Sequence, residues 1–256
     1  MNPRPRLLAL ASAVLLMAAA PFVARAAEFS ATQRSEIGTI VHDYLMAHPE
    51  VLQEAMAELE KRQNEAQAEK GKAAVKQYSQ ALFMSPRQVT LGNHDGDVTF
   101  VEFFDYNCTY CKHAMADMLT LLKDDPKLKV VLKEFPVLGP GSVEAAQVAV
   151  AVRMQDKTGK KYLEFHQKLL GGRGQADRAH ALAVAKEIGL DMAQLQKDMQ
   201  SPEVQATLDE NFKLADALGL NGTPSYVIGG QVVVGAVGLP TLKKDINGAR
   251  CGKDEC

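Results

Sequence analysis

Two cysteines spaced as Cys108-Thr109-Tyr110-Cys111 close the apolar run VTFVEFFDYN and open a helix-like stretch. A strand that delivers a C-x-x-C pair to a helix N-terminus is suited to thiol–disulfide exchange. The first sulfur then meets unpaired backbone N–H groups and the positive end of the helix dipole, which favour thiolate over thiol. The thiolate is the attacking species. Cys108 is therefore read as the nucleophile, and Cys111, about one helical turn on, as the sulfur that resolves a mixed disulfide.

Other uses of such a pair fit less well. A structural zinc site takes four ligands, usually from two such pairs at short range. The remaining cysteines, Cys251 and Cys256, are remote and spaced C-x4-C. Haem attachment requires C-x-x-C-H, but Lys112 follows Cys111 and the histidine comes one place late, at His113. An inert disulfide across so short a loop stabilises weakly. His113 and Met115 raise the question of copper, yet no tight His/Met cluster accompanies them. No metal or cofactor is expected. Cys251 and Cys256 read as a local disulfide in preference to free or metal-binding thiols, and structural at most.

The N-terminus points to an oxidising compartment. Arg4 and Arg6 precede the apolar run 7–20, and Ala24-Arg25-Ala26 offers a small-x-small cleavage site, so residues 1–26 read as a signal peptide. The run is shorter than the roughly 20 apolar residues a membrane span needs. A mature chain from Ala27 would work in the bacterial periplasm, where such pairs are kept oxidised or specifically reduced. It would carry 26 basic against 31 acidic residues. That balance argues against nucleic acid and anionic lipid as partners, because both select a basic patch.

The elements that must hold the pair divide into two regimes. Residues 33–82 are helix-forming and carry no strand signal. Ile37, Ile40, Val41, Tyr44 and Leu45 make one apolar stripe, and Pro49 opens a second helix with Val51, Leu52, Ala55, Met56 and Leu59. The polar run Lys61–Lys72, with Gly71 inside, reads as a solvated helical connector; the alternative is that the whole segment folds back on the following domain. From about Val89 the pattern is α/β. Strands over 98–106 and 129–137 flank the helix that carries Cys111, which makes a βαβ unit. A helical block over about 143–218 follows, then a hairpin around Gly229-Gly230 and a last helix over about 240–247.

The motif FFDYNCTYC, the acid at Glu102, the Thr223-Pro224 step before a strand and a helical insert, in that order, resemble the DsbA-like group of the thioredoxin superfamily over about residues 89–248. The helical extension and the threonine before the proline look more like the branch called suppressor of copper sensitivity protein C and the Com1-type envelope proteins. The resemblance implies a thioredoxin fold with a helical insertion at about 141–219 in a domain over 84–256. It also implies an oligomerisation extension and linker over 27–83, and a homo-oligomer, taken as a trimer. Implied partners are unfolded or misfolded periplasmic proteins and a membrane thiol reductase or oxidase. The implied activity is disulfide isomerisation or oxidation, with Pro224 as a cis-proline facing the sulfurs and Thr223 exposing its backbone to substrate. Glu102, an even offset before Cys108 on one strand, should lie beneath the site, where a buried carboxylate can relay a proton to or from Cys111. Lys133 is expected to approach Glu102 from the next strand. Two alternatives stay open: a redox-regulated chaperone with incidental cysteines, and a pure dithiol oxidase of the DsbA type.

Overall fold

The computed structural model describes residues 29–156 and 158–256; the expected signal peptide, residues 1–26, lies outside them. The chain divides between Glu58 and Leu59 into two compact units. In the first, α1 (Ala31–Ala47) opens with a capping box: the Ser30 hydroxyl accepts from the Gln33 N–H, and the Gln33 side chain accepts from the Ser30 N–H. None of its residues is buried. The apolar stripe is solvent-facing in the single chain, with Ile40 68% exposed. Helix α2 (Glu50–Gln77) starts directly after Pro49, and Met56 on it is 70% exposed.

The second unit contains the rest of α2, followed by α3 (Ser79–Phe83), β1 (Val89–Gly92), β2 (Val98–Phe104), α4 (Thr109–Asp124) and β3 (Leu128–Glu134). Five helices come next: α5 (Pro140–Gln155), α6 (Lys160–Gly171), α7 (Arg178–Glu187), α8 (Met192–Met199) and α9 (Pro202–Leu218). The hairpin strands β4 (Ser225–Ile228) and β5 (Gln231–Val234) and helix α10 (Leu239–Cys251) complete it. The sheet order is β1-β3-β2-β4-β5, with β2 and β3 parallel and the other pairs antiparallel. Gly229 and Gly230, both at positive φ, make the two-residue turn that lets Ile228 pair with Gln231. The edge strand β1 has no counterpart in the sequence reading.

Strand β2, VTFVEFF, is β-branched and aromatic and is buried on both faces, as a central strand requires. Its alternation divides the core. Phe100 and Phe104 join the side built with α4, α5, α6 and α10, where Met118, Ala149, Phe165 and Leu242 pack. Val101 and Phe103 join the other, where Ala74 and Val75 of α2, Leu82 and Leu214 pack. Helices on both faces of one mixed sheet, with the helical insertion between β3 and β4, give an α/β thioredoxin fold.

The connector differs from its sequence reading. Residues 61–70 are exposed, but Gly71 is buried in an unbroken helix. A Cβ at Gly71 would lie 3.1 Å from the Val232 side chain, so the glycine serves close packing rather than freedom of movement. From Gly71 onward α2 belongs to the core of its unit.

Candidate active site

Strand β2 aims the chain at the site, and the three residues Asp105, Tyr106 and Asn107 turn it into α4. Cys108 is the N-cap of that helix, with extended backbone, and its Sγ accepts from the Cys111 N–H at 3.4 Å. A sulfur thus occupies the place where a serine or aspartate oxygen would ordinarily satisfy an orphan donor. On its other side, the Cys108 thiol donates to the Thr223 carbonyl at 3.1 Å. The Thr223–Pro224 peptide is cis. That loop is fixed from both ends: the Gly235 N–H donates to the Pro224 carbonyl at 2.9 Å, and the Ser225 hydroxyl donates to the Gly222 carbonyl at 2.7 Å. Cys108 is only 5% exposed, less than its place at a helix start suggests, and Cys111 is fully covered.

Burial pushes the Cys111 thiol well up from its ordinary range, and the nearby Glu102 carboxylate adds to the effect. Cys111 therefore stays protonated until it reacts. Glu102 is itself buried in the middle of β2, opposite Tyr226 on one side and Leu132 on the other. Its Oε2 has no hydrogen-bond partner among the described residues. Burial first, and the charge of Asp117 second, raise its carboxyl to about 8. A carboxyl poised near neutrality beside a thiol that must lose or gain a proton is suited to acid–base work.

Lys133 does not approach it, which corrects the sequence reading. In the β2–β3 register Lys133 faces Phe103, whereas Glu102 faces Leu132. One step of register moves a side chain to the opposite face of the sheet. The Lys133 ammonium donates to the Ala81 carbonyl at 2.8 Å and lies 3.8 Å from Glu210. Burial, with the charge of Asp117 added, is what holds the proton on Glu102.

Two residues of the motif that the sequence reading quoted without assigning them a role fix the loop before Cys108. Asp105 accepts from the Asn107 N–H, from the Ser142 hydroxyl and from the N–H groups of Val137 and Leu138. Asn107 donates to the Ser142 hydroxyl and the Ala176 carbonyl, each at 2.9 Å, and accepts from the Ala176 N–H. The insertion is thereby hydrogen-bonded to the cysteine loop at two levels. An acid and an amide inside an otherwise apolar run were the available signal, since buried polar groups need partners. A second buried acid, Glu134, is also raised to about 8 by burial and accepts from the hydroxyls of Tyr106 and Tyr162.

Tyr110, inside the C-x-x-C, is 67% exposed, and Val137 and Leu138, whose N–H groups Asp105 accepts from, are exposed as well. The remaining sequence candidates lie apart from this chemistry. Cys251 and Cys256 form a disulfide at the end of α10, where Gly252 caps the helix at positive φ. His113 is exposed, and Met115 packs half-buried against the core. Among the described residues no group of three or more His, Cys, Asp or Glu is placed to hold a metal ion.

Comparison with known proteins agrees with this geometry. Residues 99–247 match the DSBA-like thioredoxin domain, and residues 33–66 match the copper resistance protein ScsC N-terminal domain. A thioredoxin-like oxidoreductase from Silicibacter pomeroyi DSS-3 is similar at 46% identity and TM-score 0.63, over 67% of this chain and 96% of that one. ScsC of Proteus mirabilis in a transitional conformation is similar at 28% identity and TM-score 0.63, over 88% and 98%. BcfH of Salmonella enterica Typhimurium is similar at 27% identity and TM-score 0.74, over 86% and 96%. Among curated proteins, the chain spans only 24% of the length of the Na(+)/H(+) antiporter NhaA 1 of Salinispora arenicola, at 26% identity. The extent of the domain match and the placement of the two cysteines lead to one conclusion: the chain belongs to the DSBA-like thioredoxin family, with a ScsC-type N-terminal extension.

Proposed function

We propose that this protein isomerises or oxidises disulfides in exported proteins, with Cys108 as the nucleophile and Cys111 as the resolving thiol. One observation carries the reading. Cys108 lies at the helix N-cap between a backbone donor and the Thr223 carbonyl, while Cys111 is buried behind it beside Glu102. In the reduced protein the Cys108 thiolate attacks one sulfur of a substrate disulfide. The Cys108–substrate bond forms, the substrate S–S bond breaks, and the other substrate sulfur leaves as a thiolate. The Thr223 carbonyl no longer receives the Cys108 S–H and is free to accept a substrate N–H, in the manner of an added strand.

Two exits follow from the mixed disulfide. A second substrate thiolate can attack the substrate sulfur bonded to Cys108, which expels the Cys108 thiolate and completes an isomerisation. Alternatively Cys111 gives its proton to Glu102 in its ionised form and attacks the Cys108 sulfur, which forms the Cys108–Cys111 bond, breaks the Cys108–substrate bond and expels the substrate thiolate. The substrate is then reduced by two electrons, and Cys108 and Cys111 become the disulfide. The reverse sequence oxidises a substrate dithiol, with Glu102 returning the proton to Cys111. A membrane thiol reductase or oxidase would reset the pair, and the site of action would be the periplasm. An oxidase of the DsbA type uses the same steps run only in the second direction.

The extension supports an assembly. Ile37, Val41, Tyr44, Leu52, Met56 and Leu59 are exposed in the single chain, and an exposed apolar face of this kind marks an interface. We read it as the contact of a closed, three-fold homo-oligomer through residues 33–60, which presents several Cys108 sulfurs to one substrate and raises their effective concentration.

Substitutions, a pH titration of stability and light scattering test these points. In scrambled-ribonuclease and insulin-reduction assays, Cys108→Ser loses activity by at least two orders of magnitude; a variant that kept it would favour a chaperone whose cysteines are incidental. Glu102→Gln slows resolution of the mixed disulfide by about tenfold or more. Because the folded carboxyl is raised to about 8 from its ordinary value, the folded state holds a proton that the unfolded chain releases above about pH 4.5. The stability from this group is full at low pH and is lost as pH climbs to 8 and beyond. Urea titrations should therefore find Glu102→Gln increasingly more stable than the wild type from pH 5 to pH 9; a constant difference would place the acid elsewhere. Light scattering of the chain from Ala27 should give about three times the monomer mass at micromolar concentration. The double substitution Val41→Glu/Met56→Glu should give monomers that still reduce insulin and no longer isomerise. A monomeric wild type would remove the assembly from the account.

A further inference from the structure

We propose that Asp105 is the positioning residue that sets substrate preference, by holding the apolar segment Val137–Leu138 in register with Cys108. The proposal rests on the thiol–disulfide reading above. Asp105 is the first residue beyond β2 and is buried. Its two carboxylate oxygens face different parts of the chain. Oδ2 accepts from the Val137 N–H at 2.8 Å and from the Leu138 N–H at 2.9 Å. Oδ1 accepts from the Asn107 N–H at 2.8 Å and from the Ser142 hydroxyl at 2.8 Å.

One oxygen therefore grips the turn that leads into Cys108 and the start of α5, and the other grips the segment after β3. Bonds of this kind to an ionised acceptor are about twice as strong as neutral ones. With their N–H groups drawn inward, Val137 and Leu138 present side chains that are 40% and 51% exposed. Pro136 before them and Gly139-Pro140 after them leave the segment short and restricted, so its position follows that of the carboxylate. The geometry suits a polypeptide that carries a bulky apolar residue next to the cysteine being exchanged. An amide could not replace the carboxylate: its NH2 would confront one of the two pairs of donors.

The experiment compares kcat/KM for two short peptides, each carrying one glutathionylated cysteine, flanked by leucines in one and by serines in the other. The wild type should prefer the leucine peptide by about tenfold, the order expected for an apolar side chain on an apolar contact. Asp105→Asn should bring the ratio close to one. A loss that struck both peptides equally and left the ratio intact would overturn the proposal, because a residue acting only through the cysteines or through overall stability does that. Should Asp105→Asn fail to fold, Ser142→Ala removes the hydroxyl's bonds to Asp105 and Asn107 and introduces no new group. Its ratio should fall in the same direction, and an unchanged ratio would overturn the proposal as well. A wild type that exchanged both peptides equally would also end it. A wild type that exchanged neither would instead remove the functional reading beneath it.

Discussion

The pairing register of β2 with β4 decides which carbonyl meets the reactive sulfur. Phe103 lies opposite Ser225, so the chain just before Ser225 comes to rest beside the end of β2, and Thr223 faces Cys108. A slip of one residue would turn every side chain of β4 to the wrong face and bring a different peptide to the sulfur. The register is held by burial on both sides of the sheet: Phe100 and Tyr226 pack on one side, Val101 and Val227 on the other. The same strand carries Glu102 into the interior and ends at the loop that sets Cys108 as a helix cap. Sulfur, carbonyl and acid are thus placed by one element and its neighbour.

That arrangement separates the two thiols by environment rather than by sequence distance. Cys108 meets the edge of solvent, a donor and an acceptor. Cys111 meets a dry interior in which its own thiolate and a charged Glu102 would each oppose the other. Burial therefore favours the protonated form of both Cys111 and Glu102. Lys133 is turned to the opposite face of the sheet, toward Glu210, and adds no charge beside them.

Much of this was legible in the residues. The C-x-x-C, the βαβ unit, the Gly229-Gly230 hairpin and the helical block rest on local pattern, and the strands and helices follow it to within a few residues. Parity along β2 is readable from the residues because the strand is regular, and it places Glu102 on the same face as Phe100 and Phe104. The expected approach of Lys133 to Glu102 fails, since the pattern within a strand says nothing about the register between strands. Gly71 sits in a polar run that reads as a solvated connector, and nothing in that run shows its neighbour in space, Val232. Asp105 and Asn107 were visible as polar residues in an apolar run. Their partners, Ser142, Val137, Leu138 and Ala176, come from segments more than 30 residues away in the chain, which no local pattern links to them.

The central claim is that one sulfur is reachable and the other is held covered and protonated. Its direct measurement is residue-resolved alkylation of the reduced wild-type protein by iodoacetamide, quenched over time across pH 4 to 9 and mapped by mass spectrometry. Labelling is expected to fall on Cys108, with Cys111 unmodified on the same timescale at every pH at which the protein stays folded. Comparable labelling of both cysteines would contradict it.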